Sequence, residues 1–287
     1  MNRWRVITAT CIATTLSAAL LTVAEPAAAL PGLQRVVVNT ATDSTNTKRA
    51  VARCPIGTQV VGGGASIVNG VGQVLLTGYR MVDSVPDYVL VSATEDQDLY
   101  SGSWALYAYA ICAAPVAGVQ IVSNSSAGGS PSNQTVIVSC PAGTQVFGMG
   151  GWIDGGNGQV ILDAVYVLAG LTGVGAIGVE DEDGYAANWV VTAFAVCAPP
   201  VSGQQSVSAQ QPPSGFDSTS PKTVTLSCPA GTAVHGIGGR LQGALQDNTL
   251  DDLVPSAALD SVTVKAYEDQ DGEPDGWFLT AIAICAP

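Results

Sequence analysis

The chain has 287 residues, 47% of them hydrophobic, 11% charged and 6% aromatic, with 33 Gly, 16 Pro and 7 Cys. Ten basic residues against 23 acidic ones give a net charge of -13, which excludes neutralising a row of phosphates or docking on an anionic membrane surface. A single His removes most metal and acid–base sites that depend on imidazole.

Residues 1–29 have the form of a cleaved signal peptide. Arg3 and Arg5 make a positive start, Val6 to Ala24 is apolar and small, and Ala27-Ala28-Ala29 supplies a cleavage site. The protein is therefore expected to be secreted and extracellular. Cys11 leaves with the signal, and the remaining six cysteines are an even set in an oxidising compartment, where disulfides are the default.

The rest of the chain is a threefold repeat. Cys54-Pro-Ile-Gly-Thr-Gln-Val-Val-Gly-Gly-Gly returns as Cys140-Pro-Ala-Gly-Thr-Gln-Val-Phe-Gly-Met-Gly-Gly and as Cys228-Pro-Ala-Gly-Thr-Ala-Val-His-Gly-Ile-Gly-Gly, with starts 86 and 88 residues apart. Each repeat closes on a Trp eight residues before a Cys: Trp104 and Cys112, Trp189 and Cys197, Trp277 and Cys285. The near-constant spacing favours pairing within repeats, Cys54–Cys112, Cys140–Cys197 and Cys228–Cys285. Stitching between neighbours, such as Cys112 to Cys140, is the alternative. The expected units are residues 30–115, 116–200 and 201–287.

Within a repeat the texture is all β. Short Val/Ile/Leu runs and alternating blocks such as Leu106 to Ile111 predict five or six strands, with a long polar hairpin loop near Asn39 to Lys48 and its equivalents. A short helical turn is expected at Asp251 to Leu259. In Cys-Pro-x-Gly-Thr the Gly (Gly57, Gly143, Gly231) reads as a turn residue after a disulfide anchor. The following G-x-G has neither the helix nor the Lys of a phosphate loop, so its glycines permit a bulge or a close approach of another strand or ring. Three such units form either tandem small β-sandwiches or a pseudo-threefold, β-prism-like assembly.

Acidic residues repeat with the rest. Glu95-Asp96-Gln97-Asp98, Glu180-Asp181-Glu182-Asp183 and Glu268-Asp269-Gln270-Asp271 each precede the Trp. Carboxylates at this density are hard-oxygen ligands suited to Ca²⁺, although no EF-hand spacing is present. Glu95, Asp96, Asp98, Glu180, Asp181, Asp183, Glu268, Asp269 and Asp271 are the candidate metal ligands; solvated hairpin tips are the competing reading. Trp104, Trp189 and Trp277 read as core, while Trp152, Tyr185, Tyr100 and Tyr79 are the candidate ligand-binding aromatics. His235 aligns with Val61 and Phe147, which fits a strand position rather than a catalytic base. No nucleophile elbow is found, so no catalytic residue is assigned.

The Cys-Pro-x-Gly-Thr-x-Val-x-Gly block, with its closing Ala-(Ile/Val)-Cys-Ala-Pro, resembles repeats of secreted actinomycete proteins, most of them functionally uncharacterised. It also looks like blocks in tail-fibre and pilus-tip adhesion modules. The threefold repetition is similar, at the level of fold alone, to that of prism-shaped lectins and egg-membrane proteins. The expected function is non-catalytic binding of an extracellular glycan or cell-envelope component, with Ca²⁺ as a candidate cofactor. The alternatives are a hydrolase of an extracellular polymer, using Asp/Glu from facing repeats with Asp83, Asp163, Asp251 and Asp252 as spare acids, and a structural surface protein.

Overall fold

Alternating apolar residues, broken at short intervals by Gly, Pro and Asn, give each repeat six strands. In the computed structural model, which describes Met1 and residues 30–243 and 246–287, these are β1 (Gln34–Asn39), β2 (Thr47–Arg53), β3 (Gln59–Val68), β4 (Val74–Val82), β5 (Tyr88–Glu95) and β6 (Ala105–Ala113) of repeat 1. Repeat 2 follows with β7 (Gln120–Ser125), β8 (Asn133–Ser139), β9 (Gln145–Asp154), β10 (Val160–Val167), β11 (Gly173–Glu180) and β12 (Val190–Ala198). Repeat 3 has β13 (Gln205–Gln211), β14 (Lys222–Ser227), β15 (Ala233–Gly243), β16 (Asn248–Pro255), β17 (Ser261–Glu268) and β18 (Trp277–Ala286). The expected signal peptide lies outside the described residues.

No sheet belongs to one repeat. The three six-stranded antiparallel sheets run β1-β6-β3-β16-β17-β14, β13-β18-β15-β10-β11-β8 and β2-β5-β4-β9-β12-β7. Each repeat folds as a small sandwich of two three-stranded layers, and each layer continues into a layer of a neighbouring repeat. The seams are β4 on β9, β10 on β15 and β16 on β3. Three interleaved sandwiches thus close about a pseudo-threefold axis, which decides between the two arrangements open from sequence. The disulfides Cys54–Cys112, Cys140–Cys197 and Cys228–Cys285 each pin the two layers of one sandwich.

The G-x-G strands β3, β9 and β15 surround the axis. A Cβ on Gly62, Gly148 or Gly236 would fall 1.7, 2.3 or 2.7 Å from the carbonyl oxygen of His235, Val61 or Phe147, so each repeat presses on the next round the ring. Val61, Phe147 and His235 are the skipped residues of a bulge in each strand. His235 is fully buried, its Nδ1 lies 2.9 Å from the Ala233 carbonyl, and burial pushes its pKa down to about 4.

Two local expectations need correction. The segment Asp251–Leu259 is not a helical turn: Asp251 to Pro255 are strand β16, with Asp251 the extra residue of a bulge that interrupts the alternation, and Ser256 to Leu259 form a tight turn. The β1–β2 connections are not hairpins: β1 and β2 lie in different sheets, and the link between them bridges Asp43 to Trp104, with Gly129–Trp189 and Asp217–Trp277 as equivalents.

Candidate functional site

The acidic turns connect β5 to β6, β11 to β12 and β17 to β18, crossing from one layer of a sandwich to the other, so they are not hairpin tips. All three converge at one end of the axis, where Asp96, Gln97, Asp98, Asp181, Glu182, Asp269, Gln270 and Asp271 line a narrow cavity floored by Leu75 and Ile161. The turns hold one another across repeats. Gln97 Nε2 donates to Asp183 Oδ2 at 2.8 Å, and Gln270 Nε2 donates to Asp98 Oδ2.

The first acid of each turn, an expected metal ligand, accepts a hydrogen bond from the tryptophan of its own repeat. Trp104 Nε1 donates to Glu95 Oε1 at 3.0 Å, Trp189 Nε1 to Glu180 Oε1 at 2.9 Å, and Trp277 Nε1 to Glu268 Oε1 at 2.6 Å. A buried indole N–H needs an acceptor, and the carboxylate one turn away in the same sandwich supplies it.

The second acids face the cavity. Burial first, then the neighbouring carboxylates, push Asp96 and Asp269 up to about 6 and Asp181 up to about 7. Asp181 Oδ1 accepts from the Gly184 N–H, whereas Asp96 Oδ1 is buried with no partner.

The ring of cross-repeat links is broken at one junction. Glu182 stands where the sister turns carry the donors Gln97 and Gln270, and it has no hydrogen to give when ionised. Directly opposite, Asp247 occupies the loop position held by Gln73 and Gln159 in the other repeats. All three loops dock on an acidic turn through equivalent backbone bonds: Asp96 N to Gln73 O, Asp181 N to Gln159 O, and Asp269 N to Asp247 O. Burial, and next the hydrogen bond it shares with Glu182, raise Asp247 to about 7.

Carboxylate oxygens of Glu182, Asp247 and Asp269 all lie within 4.8 Å of one another, close enough to share one metal ion. An all-carboxylate donor set with the buried, unpaired Asp247 Oδ1 beside it fits a hard cation such as Ca²⁺. Of this triad only Asp269 was among the expected ligands. Glu182 was passed over within its own turn. Asp247 lies outside the three acidic turns, and only the alignment of Gln73 and Gln159 with it marks it out.

The expected ligand-binding aromatics are not a common surface. Tyr79 is wholly buried, its hydroxyl donating to the Ile237 carbonyl at 2.7 Å beside the axis, so its assignment to the surface is wrong. Trp152 is also buried, on the seam between repeats 1 and 2, with the guanidinium groups of Arg80 and Arg49 4.6 and 5.9 Å from its ring. Tyr100 and Tyr185 pack half-buried against the core after the acidic turns. The spare acids separate: Asp163 on β10 lines one cleft, and Asp251 and Asp252 on β16 line another.

No protein-family model matches the chain, and no curated protein matches its sequence. Among the described residues no helix is long and apolar enough to cross a membrane.

Proposed function

We propose that the chain is a secreted, non-catalytic binding protein whose ring of repeats is closed at one end by a calcium ion, leaving the grooves between repeats for an extracellular glycan or cell-envelope component. The carrying observation is the meeting of Glu182 and Asp247 at a single junction. Two amide positions have each become acidic once, and the fold brings those two acids together beside Asp269. At the other junctions a Gln amide links the turns; here a cation takes that place. The signal-like residues 1–29, the disulfides and the resemblance to secreted actinomycete repeats support export.

Thermal unfolding of the oxidised chain in EDTA and across a calcium titration tests this. Saturation at a hundredfold excess over Kd stabilises by about 2.7 kcal/mol, which for a chain of this size raises Tm by roughly 5–10 °C. The double substitution Glu182→Gln and Asp247→Gln restores the chemistry of the sister junctions. It should unfold at a higher temperature in EDTA and lose the calcium response. No shift at millimolar calcium in the unmodified chain would overturn the metal assignment.

A further inference from the structure

Each seam between repeats floors an outward groove, and at its centre one strand carries a bulge. The bulge residue is Thr77 between repeats 1 and 2, Asp163 between repeats 2 and 3, and Asp251 between repeats 3 and 1. The residue after the bulge, Gly78, Ala164 or Asp252, pairs across the seam with Trp152, Arg240 or Ser66. The three grooves therefore share a backbone and differ in chemistry.

The groove between repeats 2 and 3 holds two adjoining clefts of about 280 and 230 Å³, both lined by Arg240 and Gln242. Neutral hydrogen-bonding side chains alternate with apolar ones along the walls, Thr135 on one side and Ser208 on the other, and the Tyr166 ring lies 5.5 Å from the Arg240 guanidinium. In the first cleft Asp163 is 2% exposed and its Oδ1 has no hydrogen-bond partner; Nε of Arg240, which lines the same cleft, is also buried without one. An unmet acceptor and an unmet donor that do not reach each other thus line one cleft. Leaving such groups unpaired is unfavourable in a desolvated site, so a ligand that completes both is favoured.

That pairing selects the ligand class. A cation would suit Asp163 but be repelled by Arg240, and an anion the reverse. Adjacent hydroxyl groups on one neutral molecule donate to the carboxylate and accept from the guanidinium together. The neighbouring groove lacks this balance: its unmet atoms, Asp251 Oδ1 and Asp252 Oδ1, are both acceptors, with Lys265 3.4 Å from the other oxygen of Asp252. In the third groove Arg80 Nε is likewise buried without a partner, but the bulge residue there is Thr77 and no unmet carboxylate accompanies it.

We infer that the groove between repeats 2 and 3 binds a neutral glycan chain, with Asp163 and Arg240 gripping vicinal hydroxyls of one sugar and the second cleft taking the next. This gives a location and a ligand class to the binding-protein reading above and rests on it.

Calorimetric titration of the intact, disulfide-bonded chain with cellohexaose, xylohexaose, mannohexaose and chitohexaose to millimolar concentration tests the inference. At least one is expected to bind one to one. Arg240→Gln should weaken it by about tenfold or more, the loss expected for a hydrogen bond to a charged group. Asp163→Val should abolish binding while raising Tm, because it removes a buried unpaired carboxylate; a misfolded variant would lower Tm instead. Asp252→Asn in the neighbouring groove should leave binding unchanged. Binding that survives both groove substitutions, or is lost with Asp252→Asn, would overturn this groove while leaving the binding-protein reading intact. No binding by any hexasaccharide, with the calcium response present, would overturn the glycan assignment and leave the metal centre standing.

Discussion

Burial of three tryptophans decides what the first acid of each turn does. Trp189 is 1% exposed and its N–H ends on Glu180, so Glu180→Ala leaves a buried donor unmet. It should destabilise by about 1–3 kcal/mol in urea unfolding, and Glu180→Gln, which keeps an acceptor, by less. Lys48 and Lys222 are buried against the rings of Trp104 and Trp277, each paired with an Asp of its own loop, Asp43 or Asp217. In repeat 2 both partners are neutral: Gln134 replaces the Lys, donating to the Gly129 and Trp189 carbonyls, and Gly129 replaces the Asp. Asp163 makes a pH prediction. Burial raises it from 3.8 to about 7 despite Arg240 nearby, so the folded chain holds a proton that the unfolded chain releases. Its contribution should therefore be most favourable below pH 4 and be lost as pH rises toward and through 7. The raised carboxylates of the acidic turns act with the same sign, so the difference in Tm between the unmodified chain and Asp163→Val isolates this group. That difference should be smallest near pH 4 and grow through pH 7.

At the scale of the element, the glycine strands are the tightest constraint. A Cβ at Gly148 would lie 2.3 Å from the Val61 oxygen, in a neighbouring strand that cannot retreat without opening the ring. Gly148→Ala should cost about 1–3 kcal/mol or more, read as a fall in the urea midpoint. Gly143 makes the contrast. Its φ is +81° and nothing lies within 4 Å of its Cβ position, so Gly143→Ala should cost only about 1–2 kcal/mol of left-handed strain. Crowding at the axis and strain in the turn are thus separable in one repeat.

For the whole molecule, the shared sheets make three homologous repeats one cooperative body. Without repeat 3, strands β3 and β10 lose their partners β16 and β15 and expose unpaired edges. A fragment of residues 30–200 should therefore show no cooperative calorimetric transition and should aggregate, whereas the complete chain should unfold in one. Closure about the axis also assembles the carboxylate triad, since Glu182 comes from repeat 2 and Asp247 and Asp269 from repeat 3.

The all-β texture, the threefold repeat, the disulfide pairs, the buried tryptophans and the turn glycines were legible in the chain, because each is written as local periodicity or constant spacing. Glu182 and Asp247 lie 65 positions apart, and Asp163 and Arg240 share a cleft across a seam between repeats, so no local pattern joins them. Even Tyr79, which reads as a surface aromatic, is buried with its hydroxyl bonded to Ile237 of another repeat. Sequence by itself determined what each repeat is made of. Tertiary structure alone decided which repeats meet and which acids share a space, because strand exchange between repeats is a long-range pairing that only the closed ring satisfies.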